Sequence, residues 1–305
     1  MTTTLELDTD RIATALASSR AAVRQENGAA WQLQSTVVER VIRLRADDDW
    51  LLFEAALDGT GCAAVGQDGF LPARLMRWNA TLPGGAKFAM DDQFNLTVRA
   101  QAPLLEDVDP GPRLLEGWSG IEAGLQRFHA AQEKTPAPSA ATAPDLRALA
   151  AGTGWAFTER QDGGLAFELS SQDSSMMAAM HETVHGGVRA WVRLASLEEL
   201  PAVSRDALAV LLLRAGSVLR LARPAFAPDD GRTSACLEVV FDTAPAGDEL
   251  RLALESLAVG VTLAAREAKF LCDEQTAREY LTVGKWIPRE QGDDKNKQQP
   301  TVRTR

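Results

Sequence analysis

The string His181-Glu182-Thr183-Val184-His185 holds the residue types and spacing that most directly suggest chemistry in this 305-residue chain. On a helix, histidines four apart share one face, where they can hold a zinc ion while the intervening glutamate acts as general base. Glu198 or Glu199 could supply a third ligand. On a strand the same two histidines stand about 13 Å apart at about 3.3 Å per residue, too far for one ion with bonds of about 2 Å. Gly186-Gly187 follows at once and suits a hairpin turn better than a helix that must hold a metal rigidly. The strand reading is preferred, and a zinc-dependent hydrolase using residues 181–185 is kept as the alternative.

The other candidates read as structure. Asp91-Asp92 and Asp229-Asp230 could suggest metal or acid–base work, but each pair lies between two strand-like stretches, where aspartate serves turns. Gly117-Trp118-Ser119-Gly120 lacks the G-x-S-x-G spacing of a nucleophile elbow and falls inside a helical pattern. There is no phosphate-binding P-loop and no G-x-G-x-x-G. Cys62, Cys236 and Cys272 are too few and too scattered for a disulfide framework or zinc knuckle, and are expected as reduced, mostly buried thiols. His129 closes a helix, where a cation suits the dipole. Trp78, Trp118 and Trp191 sit in apolar periodic stretches and are expected in the core. No catalytic, cofactor-binding or metal-ligating residue is assigned.

These residues have to be positioned by elements that the chain contains twice. Leu208 to Phe241 reads LAVLLLRAGSVLRLARPAFAPDDGRTSACLEVVF, and Leu71 to Val98 reads LPARLMRWNATLPGGAKFAMDDQFNLTV. Arg77 matches Arg214, Leu82 matches Leu219, and Phe88-Ala89-Met90-Asp91-Asp92 matches Phe226-Ala227-Pro228-Asp229-Asp230. Each copy is an apolar helix, a strand ending in an acidic turn, and a second strand. The repeat, offset by about 138 residues, places residues 181–185 over Arg43 to Asp47, a strand end entering a turn.

Around this unit both halves follow one programme. In the first, residues 8–18 form a helix with Ile12, Ala15 and Leu16 on one face. Strands follow around Trp31 and Leu33, around Val41, Ile42 and Leu44, and over Trp50 to Leu57, with Asp47-Asp48-Asp49 as a turn and residues 59–69 as a loop. Pro112 opens a helix whose Leu114, Trp118, Ile121, Leu125 and Phe128 form a buried stripe. In the second, residues 145–151 form a short helix. Strands run over 156–160 and 165–169 around a turn at Asp162-Gly163-Gly164, and two more flank Gly186-Gly187. The last helix begins at Asp248 and carries Leu250, Leu254, Leu257, Val261, Ala264, Ala268 and Leu271 on one face, with a continuation to Leu281 left open. The expected organisation is therefore residues 1–132 as a first repeat, 133–144 (EKTPAPSAATAP) as an extended linker, 145–285 as a second repeat and 286–305 as a polar tail. The fold class is α+β: two tandem α-β-α domains, each an antiparallel sheet flanked by helices.

The totals narrow the functions. A net charge of -10 argues against a general nucleic-acid binder, which needs a basic face to displace counterions. It is compatible with basic or amphipathic protein partners. The N-terminus MTTTLELDTD has neither basic nor apolar segment, and the most apolar window, residues 208–222, carries Arg214 and Arg220, so neither secretion nor membrane insertion is expected and the location is read as cytoplasmic.

The helix LLLRAGSVLRLA, the strand pair after it and the closing helix DELRLALESLAVGVTLAAREAKFL together resemble the fold of class I type III secretion chaperones and of the related bacterial sensory-transduction-regulator family, in two copies covering nearly the whole chain. The resemblance implies a small, acidic, cytoplasmic and non-enzymatic protein without cofactors, whose relatives work as dimers that bind an extended effector segment. Here the copies are covalently joined, and Gly216 stands where the first copy has Asn79. The expectation is thus a chaperone-like or regulatory binding module, a monomer acting as an internal pseudo-dimer, that recognises a protein segment by exposed apolar helix or sheet-edge surface.

Overall fold

Alternating burial builds the first sheet. The computed structural model describes residues 12, 16, 23–27, 30–47, 50–57, 70–105, 109–130, 144–170, 175–183, 186–229 and 231–286. Strands β1 (Val23–Asn27), β2 (Ala30–Gln34), β3 (Val41–Asp47) and β4 (Trp50–Leu57) run antiparallel. Trp31, Leu33, Ile42, Leu44, Leu51 and Phe53 face inward and are buried, while Arg43 and Arg45 face outward, as a period of two requires. Helix α1 (Leu71–Asn79), the hairpin β5 (Lys87–Met90) and β6 (Leu96–Pro103), and helix α2 (Pro110–Ala130) complete the first half.

The second half repeats the order. Helix α3 (Leu146–Gly152) is capped by Asp145, whose carboxylate accepts from the Arg147 and Ala148 N–H groups. Strands β7 (Phe157–Glu159), β8 (Leu165–Ser170), β9 (Ser175–Glu182) and β10 (Val188–Ser196) follow, then helix α4 (Ala202–Val218), β11 (Arg223–Asp229), β12 (Arg232–Phe241), α5 (Gly247–Leu271) and α6 (Glu274–Val283). The sheets have the same strand order, β1-β2-β3-β4-β6-β5 and β7-β8-β9-β10-β12-β11. This is an α+β fold with two six-stranded antiparallel sheets, each carrying a long helix on its core face. No helix among the described residues is long and apolar enough to cross a membrane.

Packing shows the repeat more sharply than residue matching does. Gly124 on α2 lies against Val98 and Leu82; Gly260 on α5 lies against Leu237 and Leu219. A methyl group at either glycine would stand 2.5–2.6 Å from the facing side chain, so both helices approach their sheets at the same point. Val98 is therefore the counterpart of Leu237. Val98 pairs with Phe88 and Leu237 pairs with Pro224, which makes Pro224, and not Phe226, the counterpart of Phe88. Both phenylalanines are buried in corresponding strands, two positions out of step. The second hairpin is longer at its tip: β11 and β12 pair to Asp229 and Arg232, whereas β5 and β6 stop at Met90 and Leu96. Similarity of FAMDD to FAPDD reflects equal turn chemistry at ladders of unequal length.

Several expectations shift slightly. The helix expected at Pro112 starts at Pro110. The long final pattern is two helices, because Asp273 accepts from the Thr276 N–H and starts α6 anew. Of the expected helix over residues 8–18, Ile12 and Leu16 are helical and buried and the rest lies outside the described residues, as do the loop 59–69, residues 133–143 of the linker and the tail beyond Trp286.

Candidate functional site

The histidine string does not form the helix a zinc protease needs. His181 and Glu182 close β9, where His181 pairs with Arg189 of β10; His185 lies outside the described residues. The His181 ring stacks on Trp191 at 5.1 Å, and its Nε2 stands 3.4 Å from Asp162. Asp162 is held down to about 2, first by Arg160, whose guanidinium hydrogen-bonds to it. Among the described residues no group of three or more His, Cys, Asp or Glu is placed to hold a metal.

The remaining candidates have structural work. Asp91 accepts from the Gln93 and Asn95 N–H groups, and the Asn95 side chain foremost holds its carboxyl below the usual range. Asp92 pairs with Arg214 of the other half at 2.7 Å, Asp229 with Arg193 at 3.3 Å, and Asp230 lies outside the described residues. Gly117 and Gly120 of the GWSG string let α2 approach the Phe53 ring and the Pro83 carbonyl. Cys236 is buried, which raises its thiol pKa; Cys272 is half-buried and Cys62 is outside the described residues. Trp78 is buried and Trp118 is partly buried against the main core, whereas Val188, Ala190 and Val192 take the inward positions of β10, so Trp191 lies partly buried on the outer face with Arg189, against the small cluster of Ala225, Ala227 and Cys236.

The most elaborate polar construction joins the halves. Helix α1 packs on β11 and α4 packs on β5, so each half covers the outer face of the other's hairpin. Lys87, at the start of β5, donates to the carbonyls of Leu219 (2.5 Å) and Ala222 (2.9 Å). Arg223, at the start of β11, donates to the carbonyls of Leu82 (2.5 Å) and Ala86 (3.2 Å). The exchange is reciprocal, as a pseudo-twofold axis between the halves requires. Glu238 accepts from Arg223 (2.8 Å) and Arg189 (2.7 Å), so the buried Arg223 has its counter-charge. Arg113 of α2 forks onto both carboxylate oxygens of Glu249 of α5, at 2.7 and 2.8 Å.

Asn79 handles the edge strands. It accepts from the Phe88 N–H (2.7 Å) and donates to the carbonyls of Phe88 (3.2 Å) and Pro224 (2.8 Å), thereby satisfying backbone groups on β5 and β11, an edge of each sheet. Its counterpart is Gly216, where a Cβ would stand 3.1 Å from the Pro224 ring; proline there needs no N–H acceptor. One asparagine serves both edges because the second copy has neither the side chain, at Gly216, nor the donor, at Pro224.

Lys87 is buried with no carboxylate partner among the described residues, and burial, then the charges of Arg99 and Arg223, hold its pKa down to about 7. Between about pH 7 and the ordinary lysine range the unfolded chain keeps a proton that the folded chain releases, so this site adds stability as pH rises through that window, loses it as pH falls back to about 7, and changes no further below. From about pH 7 to 8.5, below the ordinary thiol range, the melting temperature of the native chain should rise relative to Lys87→Met. Parallel pH profiles for the two proteins would contradict this.

Sequence reasoning missed this network, although one signal was present: Ala86-Lys87 and Ala222-Arg223 each put a cation after alanine at the start of the repeated hairpin. No family model matches the chain, and no curated protein or solved structure is matched either.

Two further surfaces could bind a partner. On α5, Val259, Leu263 and Phe270 are each about half exposed and, with Arg266 against the Phe270 ring, follow one another at helical spacing. On the outer face of the first sheet, a groove of about 270 Å3 runs between β3, β4 and β6 and the end of α4.

Proposed function

We propose that the chain is a non-enzymatic, chaperone-like or regulatory binding module of the cytoplasm that holds a segment of another protein. The observation that carries this reading is the exposed apolar stripe Val259, Leu263 and Phe270 along α5. Single exposed apolar residues are ordinary, but three at helical spacing on one face form a surface that burial against a partner would stabilise. An amphipathic helix is the partner element whose own apolar stripe fits such a face. The reciprocal packing of the halves supports the pseudo-dimer part of the reading, because each half supplies what the second subunit of a dimer would supply. With β5 and β11 occupied by Asn79, strand addition is directed to the outer edges, β1 and β7.

The test is capture from the native cytoplasm on immobilised full-length chain, read by mass spectrometry. A protein retained by the native chain and lost with Leu263→Glu/Phe270→Glu is the expected result. Both side chains are exposed, so the double variant should keep its melting temperature within a few degrees. Equal recovery on both chains, or no specific protein, would overturn the assignment of the stripe.

A further inference from the structure

We infer that the groove on the outer face of the first sheet recognises an acidic, extended peptide segment through Arg43 and Arg45. The inference deepens the protein-binding reading above and rests on it, but on a different surface. Four arginines line the groove, Arg43, Arg45, Arg99 and Arg220, against two carboxylates, Asp47 and Glu54. The inner two arginines are committed. Arg99 pairs with Glu54 at 2.6 Å and donates to the Ser217 carbonyl at the end of α4, while Arg220 lies 3.6 Å from Asp47 and against the Trp50 ring. Arg43 and Arg45 are exposed and have no ion pair or side-chain hydrogen bond to another described residue. The two carboxylates are thus taken, and the two outward guanidinium groups present an unneutralised pair.

Spacing selects the ligand. Arg43 and Arg45 are two apart on one strand and project from the same face about 7 Å from each other. That repeat matches alternate side chains of an extended peptide, so acidic residues at positions i and i+2 can each meet one guanidinium fork. Leu52 lines the groove and the exposed Val41 and Val218 flank it, giving the intervening positions apolar contact. The net charge of -10 suggests basic partners, but screening over about 8 Å leaves the local excess of arginine to decide what enters this groove.

The second half does not duplicate the site. The ladders align Arg43 with Ala179, Arg45 with His181 and Glu54 with Trp191, so the corresponding strand carries no arginine pair, and the arginines beside it, Arg189 and Arg193, are paired with Glu238 and Asp229. The two faces of the pseudo-dimer have diverged, and one acidic segment per chain is expected.

The experiment titrates full-length protein into a fluorescein-labelled peptide of alternating glutamate and serine, read by anisotropy. The expected result is one peptide per chain, affinity falling with added salt, and no binding of the same peptide with glutamine for glutamate. Arg43→Ser/Arg45→Ser should weaken binding at least about tenfold, and Arg43→Glu/Arg45→Glu should abolish it and accept an alternating lysine–serine peptide instead. No binding by the native chain, equal binding by the serine variant, or equally tight binding of an oligothymidylate would overturn the inference. The α5 variant Leu263→Glu/Phe270→Glu should bind the acidic peptide normally, so failure of the helix-stripe reading and failure of this one are separable.

Discussion

Replacing Glu238 with alanine should destabilise the chain by about 3–5 kcal/mol, the cost of leaving a buried cation without its counter-charge. Glu238 is 1% exposed and Arg223 2%, and among the described residues no other carboxylate pairs with Arg223. Arg223 cannot retreat to solvent, because its Nη1 is engaged by the Leu82 and Ala86 carbonyls of the other half. Arg189 shares the same glutamate but is a quarter exposed, so Arg189→Ala should cost much less. Urea denaturation of the two variants gives the comparison. A loss below about 1 kcal/mol for Glu238→Ala would mean that the carbonyl contacts alone hold Arg223.

Phe88→Ala should cost a similar amount, about 3–5 kcal/mol. Its ring is fully buried, 5.8 Å from the Trp78 ring and 6.3 Å from that of Phe128, so truncation leaves a cavity lined by α1, α2 and β5. Phe226 is also buried, and its truncation should fall in the same range. A loss under about 1 kcal/mol at Phe88, measured by the same denaturation, would mean the first core is not packed as described.

The repeat was legible because helix and hairpin periodicity survive substitution: an apolar stripe stays apolar whether it is written LMRWNATL or LLRAGSVL. The strand assignment of His181 was legible for the same reason, since the repeat aligned it with a strand of the first half. Register was not. A hairpin can lengthen at its tip without altering its turn residues, so matching Phe88 to Phe226 through their Asp-Asp turns slipped the ladder by two. Trp191 was misplaced because its aromatic character was weighed above the period of two, which puts it on the outer face with Arg189 and opposite the inward Val188, Ala190 and Val192. The crossing of α1 and α4 onto each other's hairpins leaves no mark in local patterning, because burial against a neighbouring half and against one's own sheet demand the same residues. Nothing in the sequence singles out Arg43 and Arg45; only the carboxylates committed to Arg99 and Arg220 show that theirs is an unneutralised pair.

Because Lys87 and Arg223 exchange backbone carbonyls within one chain, the free protein should not need a second copy. Static light scattering on the full-length chain tests this most directly. One chain per particle, a mass of 32.9 kDa independent of concentration, is the result expected of an internal pseudo-dimer. A stable particle of twice that mass would contradict it.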